Sequence, residues 1–284
     1  VTPEEKLFHV TSVLKAAEVE VLVMGGHAAR YYGVSRNTND FDLVTSLNTP
    51  GDLRGKLAQL TTLGPLREAP VWRSMDFARF ELGPLPDGRE EYLEFWFRNH
   101  LLSDFATLQS RAEVGEYGGG PIGFLSITDL MRSKETERES DWTDIGLLEE
   151  IADQRRLATL QHDSGAVPDA LANLRSRKGM DLVIKRGLAD GDSASRAITA
   201  CRHLVSFAFL LPLIGVAGLE MTRPPKPPSP IEPTTLAAIA STKFGSTQHF
   251  AWIEICRRSY KRAAMEADRA DKQKSLASHR LRGE

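Results

Sequence analysis

The chain has 284 residues, enough for one large domain or for two smaller ones that each bury a core. Its 36 Lys and Arg nearly balance 38 Asp and Glu, which excludes a whole-chain field drawing in nucleic acid or an anionic membrane and confines any basic surface to a local patch. Two cysteines, Cys201 and Cys256, far apart and without metal-ligand neighbours, exclude a disulfide scaffold and suit a reducing compartment as core thiols.

Thr2, Pro3 and Glu5 form an N-cap, an N1 proline and a capping-box glutamate, opening a helix whose Leu7, Val10, Leu14 and Ala17 share one face. The opening "VTPEEKLFHV" has neither a basic start nor an apolar run of the kind a leader carries, so a cytoplasmic location is expected. "VEVLVM" switches to a β-rich run and predicts a buried strand. A short helix through "HAARYY" ends at Gly33 as its C-cap, "DFDLV" is the next strand, and "GDLRGKLAQL" a helix after it. "FARFEL" and "EYLEFWF" flank the Pro-Asp-Gly turn signal of "GPLPDGRE" and predict an antiparallel hairpin. A mixed α/β (α+β) fold with a sheet at its centre follows.

Past "GGGPIGFL" the pattern turns helical, beginning with a helix capped by Ser126 and running through "ITDLMRSKETERE". The expected organisation is an α/β domain over residues 1–150 and a helical region over 151–284, with the proline-rich segment near 223–235 as an extended connector. The apolar run Leu204–Leu219 is short for a bilayer span and is broken by Pro212, so it reads as a buried helix or helix pair and no membrane partner is expected. From Phe250 the chain is a helix whose basic content rises toward its end.

The chemistry concentrates between Gly25 and Val44. Gly25 and Gly26, between a strand and a helix, let backbone amides approach an anion such as phosphate at a helix N-terminus; the same pair also serves a tight turn for steric reasons alone. Asp40 and Asp42 alternate with Phe41 and Leu43 along a strand, so the two acids share one face while the apolar pair enters the core. Two carboxylates so placed repel each other unless a cation lies between them, and oxygen-only donors suit Mg²⁺ or Mn²⁺; the other reading is a strand end with two solvated acids. His27 is expected as a surface or helix-start residue, with a phosphate contact as the alternative.

"GGHAARYYG" followed by "RNTNDFDL" resembles the nucleotidyltransferase-like family of the AbiEii toxin and minimal nucleotidyltransferase type, within the polymerase-beta-like superfamily. Arg36, Thr38, Asp40 and Asp42 match its Arg-x-Thr-x-Asp-hydrophobic-Asp pattern one by one. The resemblance covers about residues 5–155 and implies a mixed-sheet nucleotidyltransferase core, an NTP substrate held by Gly25, Gly26, Arg36, Thr38 and Lys134, and Mg²⁺ or Mn²⁺ held by Asp40, Asp42 and a third carboxylate on a neighbouring strand. "YLEFWF" offers Glu94 as that third ligand where the family more often has aspartate; Asp76 is the fallback, and a glutamate salt-bridged across the hairpin is the alternative. "SITDLMRSKETERESDWTDIGLLEE" is similar to the family's Lys-containing helix: Lys134 and Arg138 are placed for the phosphates, Asp141 and Asp144 for bracing the next helix, against the alternative of an ordinary solvated helix.

The implied activity is metal-dependent transfer of a nucleotidyl group from an NTP to an acceptor, with Asp40, Asp42, Glu94 and Lys134 as its working residues. Members of this type modify tRNA ends, proteins by AMP transfer or small molecules, and work in toxin-antitoxin or phage-defence pairs. The expected partners are therefore NTP, a tRNA or other RNA, and a cognate antitoxin or toxin. A nucleotide-binding regulatory protein with weak catalysis and a protein AMP transferase are the competing readings. Arg257, Arg258, Lys261 and Arg262, on one helix with Tyr260, form the stripe expected to meet RNA phosphates, unless it is a solvated terminal helix.

Overall fold

A computed structural model of the chain describes residues 1–57, 66–71, 76–85, 88–159, 174–186 and 247–282. Helix α1 (Pro3–Ala16) starts with the capping box its sequence encodes: Glu5 N–H donates to Thr2 Oγ1 at 3.1 Å and Thr2 N–H donates to Glu5 Oε2 at 2.7 Å. Leu7, Val10 and Leu14 are buried, whereas Ala17 is the C-cap. Strand β1 (Val21–Val23) leads into α2 (Gly25–Tyr32), which Gly33 ends in the left-handed region at φ 106°, where a side chain would be strained. Next come β2 (Asp40–Thr45), α3 (Pro50–Leu57), β3 (Arg67–Ala69), β4 (Phe77–Pro84), β5 (Glu90–Trp96), α4 (Phe105–Arg111), β6 (Glu113–Tyr117) and β7 (Gly120–Phe124). Four further helices are described: α5 (Ile127–Ser133), α6 (Glu139–Thr159), α7 (Arg177–Lys185) and α8 (Thr247–Arg282).

The strands form one seven-stranded mixed sheet in the order β3-β4-β5-β2-β1-β7-β6, parallel at β2/β5 and β1/β7 and antiparallel elsewhere. The mixed α/β class expected from the sequence is what is observed. Strand alternation gives the sheet two unlike faces. Phe41 and Leu43 of β2, Leu93 and Phe95 of β5, and Ala78 and Phe80 of β4 are buried on one. There α2 packs against β2, with the His27 ring 5.0 Å from Phe41 and Tyr31 stacked on Phe124 at 4.0 Å. Glu91 reaches the same face and is buried in an ion pair with Lys6 of α1. The opposite face carries Asp40, Asp42, Glu94 and Arg79.

Gly118 and Gly119, at φ 67° and 110°, make a two-residue turn between β6 and β7, and the described elements past β7 are helices, as expected. One expectation is corrected: the helix capped by Ser126 does not run through to Glu139 but stops at Ser133 with Lys134 as C-cap. Its continuation is broken because Thr136 and Arg138 turn back on Asp141, at 2.5 and 2.8 Å, and Trp142 Nε1 donates to the Thr136 carbonyl at 2.7 Å. The helix expected from "GDLRGKLAQL" is described as far as Leu57; its last residues, the run Leu204–Leu219, the connector near 223–235 and Cys201 lie outside the described residues. Among the described residues no helix is long and apolar enough to cross a membrane.

The chain divides into two compact units, Val1–Lys134 with Lys272–Glu284, and Glu135–Asp271. In the second, Asp153 of α6 is fully buried and caps α7, accepting from Ser176 N–H and Ser176 Oγ at 2.7 Å each and from Arg175 N–H at 3.0 Å. Glu149 of α6 is buried in an ion pair with Arg257 of α8, and Tyr260 meets Trp142 edge-on at 6.2 Å.

Candidate active site

The glycine turn and the acidic strand meet. Met24 N–H donates to the Asp42 carbonyl at 2.9 Å, which ends the β1/β2 ladder and turns the chain into α2 beside the acids. Gly25 has φ 63°, and a β-carbon on it would stand 1.9 Å from Asp42 Oδ2. A β-carbon on Gly26 would stand 2.3 Å from Thr38 Oγ1. Both glycines are therefore required by side chains of the same motif: one admits the Asp42 carboxylate, the other Thr38. The first turn of α2 has no side-chain cap and no acidic residue of its own, so its amide end favours negative charge where the Asp42 carboxylate lies.

Across the sheet, register fixes the neighbours. Asp40 pairs with Tyr92 and Asp42 with Glu94 in the parallel β2/β5 ladder; Glu94 pairs with Arg79 and Tyr92 with Glu81 in the β4/β5 hairpin. The expected hairpin is thus present, and one row of one face reads Asp42, Glu94, Arg79. Glu94 is 6% exposed, and its Oε1 accepts from Arg79 Nε at 2.7 Å and lies 2.6 Å from Nη2. The guanidinium also sits 4.9 Å from the Tyr92 ring centroid and 5.7 Å from that of Phe77, a cation-π arrangement that fixes its position. Asp76 stands outside this row, ion-paired with Arg98 at 3.2 Å, its carbonyl accepting from Phe97 and Arg98 N–H groups.

Arg36 lies in the loop before β2, partly exposed and partnered. Lys134 is 5% exposed at the C-cap of α5, the helix that packs on α2, and is likewise partnered. Arg138 holds Asp141 through Nε and Nη2, so in its own unit this arginine braces the start of α6, as does buried Asp141; Asp144 is also buried on that helix. Of the basic stripe, Arg257 is paired with Glu149 and Lys261 with Glu139, Tyr260 is buried, and Arg258 and Arg262 are exposed.

His27 is not at the surface. It is fully buried, shares a hydrogen bond between Nδ1 and the Tyr117 hydroxyl at 3.1 Å, and packs edge-on to that ring. Burial, aided by Arg30, pushes its pKa down to about 4, and burial raises that of Tyr117 to about 12. The imidazole is therefore neutral near neutral pH and serves the core beneath the glycine turn.

The donor set of this face fits a hard divalent cation in one way. Asp40 and Asp42 are carboxylates on alternate residues of one strand, and Mg²⁺ is commonly held by one or two carboxylates together with substrate phosphates. Among the described residues no three His, Cys, Asp or Glu side chains gather as a metal cluster, and Glu94 is turned to Arg79.

The salt bridge across the hairpin, the alternative expected for Glu94, is thus present; its partner Arg79 was not named from the sequence, because which residue meets Glu94 depends on hairpin register.

No protein-family profile matches the sequence, and no curated protein does. Two solved structures show a distant likeness. An antigenic nucleotidyltransferase-like protein from Paracoccidioides brasiliensis is 18% identical over 51% of this chain and 76% of its own, with a TM-score of 0.35. A candidate nucleotidyltransferase from H. pylori is 14% identical over 91% of this chain and 95% of its own, with a TM-score of 0.38. At these values no residue role passes from either protein to this chain.

Proposed function

We propose that this chain is a nucleotidyltransferase that takes an NTP with Mg²⁺ or Mn²⁺ and transfers its nucleotidyl group to an acceptor nucleophile, releasing pyrophosphate. The observation that carries the reading is the contact between the glycine turn and Asp42: an uncapped helix N-terminus and the Asp40/Asp42 pair occupy one place. When bound, the cation would neutralise phosphate charge and stabilise the charge developing during displacement. The chain's own part is to hold and orient. Asp40 and Asp42 would supply oxygen ligands, Gly25 and Gly26 a backbone close enough for phosphate, and Arg36, Thr38 and Lys134 further polar contacts to the nucleotide.

The acceptor is proposed to be RNA, with protein as the competing target and a cognate partner protein as the regulator. In the stripe, Arg257 and Lys261 are committed to carboxylates of α6, Arg258 is exposed and partnered, and Arg262 is exposed. A second reading, a nucleotide-binding regulatory module, is favoured by one observation: Glu94 is engaged by Arg79 instead of standing open beside Asp42.

The test is incubation of the protein with each α-labelled NTP, Mg²⁺ and either total RNA or a protein lysate. Label appearing on an acceptor with wild type and absent with Asp42→Asn supports transfer, and the fraction that carries it names the acceptor class. Folded protein that binds NTP yet labels nothing moves the assignment to the second reading.

A further inference from the structure

We propose that Arg79 is a positioning residue that keeps Glu94 as its counter-ion and away from the cation site, so that a divalent ion binds firmly only when nucleotide phosphates complete its ligands. The inference rests on the reading of Asp40 and Asp42 as metal ligands and adds to it the control of the third carboxylate.

The geometry supplies each step. Asp42 and Glu94 are register partners in a parallel ladder, so their side chains leave the same face about 4.8 Å apart at the backbone. Two ionised carboxylates at that spacing would form a ready cation site. Arg79, the register partner of Glu94 on its other side, prevents this by placing Nε and Nη2 on one oxygen of Glu94. Charge-assisted hydrogen bonds of this kind are among the strong ones, and Tyr92 and Phe77 fix the guanidinium from either side. Glu94 and Arg79 thereby form a neutralised pair beside Asp42, and Arg79 opposes any second positive charge that approaches. Glu94, buried at 6% exposure, cannot leave this partner without another cation to receive it. The phosphates of a nucleotide complete a metal ion's ligands without Glu94; a bare ion, lacking them, must compete with the guanidinium for that carboxylate. Arg79 thus makes metal and nucleotide binding mutually dependent.

The experiment measures Mn²⁺ affinity of the full chain without nucleotide, by spectroscopic titration of free Mn²⁺, for wild type, Arg79→Gln, the double variant Arg79→Gln/Glu94→Gln, and Asp42→Asn. Arg79→Gln is expected to tighten Mn²⁺ binding by roughly tenfold or more, because a repelling charge goes and Glu94 is released toward the ion. The double variant is expected to stay within about twofold of wild type, since it removes a neutral pair. A gain of affinity on losing a side chain is a result that mere structural damage does not produce. Unchanged or weaker binding in folded Arg79→Gln overturns the proposal, and so does a gain that persists in the double variant. If Arg79→Gln does not fold, the double variant decides: a loss of about tenfold or more there makes Glu94 a resident ligand and overturns it equally. Failure of the underlying reading shows separately, as Mn²⁺ binding in the presence of NTP that Asp42→Asn leaves intact.

Discussion

Oδ2 of Asp42 occupies the space that a β-carbon on Gly25 would need, 1.9 Å from where that carbon would stand. Gly25→Ala should therefore do two separable things. Its φ of 63° imposes a left-handed backbone on alanine, costing about 1 kcal/mol, and the methyl group displaces the carboxylate. Chemical denaturation of Gly25→Ala, Asp42→Ala and the double variant checks this. The double variant should lose less stability than the sum of the singles, by about 1 kcal/mol or more of coupling. Strict additivity would mean that the two residues do not meet.

His27 gives the fold an acid-labile element. Its pKa is about 4 in the folded chain against 6.5 for the free side chain, so the unfolded chain takes up the proton first. Stability is thus whole above about pH 6.5 and is lost as pH falls toward 4, by about 2 kcal/mol between about pH 7 and about pH 5. Urea melts at the two pH values should show this slope in wild type, and His27→Phe should flatten it by that amount. An unchanged slope in His27→Phe would assign the lability to other groups.

Arg257 should behave as a structural residue. Its guanidinium is the partner of buried Glu149, and Arg257→Ala strands that carboxylate, costing about 3 kcal/mol or more. A fall in Tm of several degrees, restored in part by a second change Glu149→Gln, is the expected outcome. Loss of RNA binding in Arg257→Ala would accordingly say nothing about an interface.

Arg262 tests the RNA acceptor more cleanly, because it is exposed. Arg262→Gln should leave the Tm close to wild type and, if the stripe meets RNA, lower the slope of log K against log salt by about 1. An unaltered slope would remove this stripe from the acceptor site.

How far the sequence carried depended on whether a feature was local. The capping box at Thr2 and Glu5, the left-handed stop at Gly33 and the same-face placement of Asp40 and Asp42 follow from single residues and from period two, and all are present. The partner of Glu94 was not local. Near the turn, Pro84 pairs with Glu90 and Gly83 with Glu91, a register that carried onward would set Phe80 against Glu94. A bulge between Glu81 and Gly83 adds one residue to β4, shifts the register and brings Arg79 opposite Glu94 instead. No residue pattern in "FARFELGP" announces it. The buried His27 was missed for a related reason. Its pocket is closed by Tyr117 from β6, 90 residues away in sequence, a contact that no local pattern announces.

The central claim is that Asp40 and Asp42 bind nucleotide through a shared divalent ion. Calorimetric titration of NTP into the full chain, with Mg²⁺ and with the ion removed by chelator, measures this for wild type and for Asp40→Asn/Asp42→Asn. Wild type should bind NTP at least about tenfold more tightly with Mg²⁺ than without, and the double variant should show no such difference. Metal-independent binding in wild type, or a Mg²⁺ effect of the same size in a folded double variant, would contradict it.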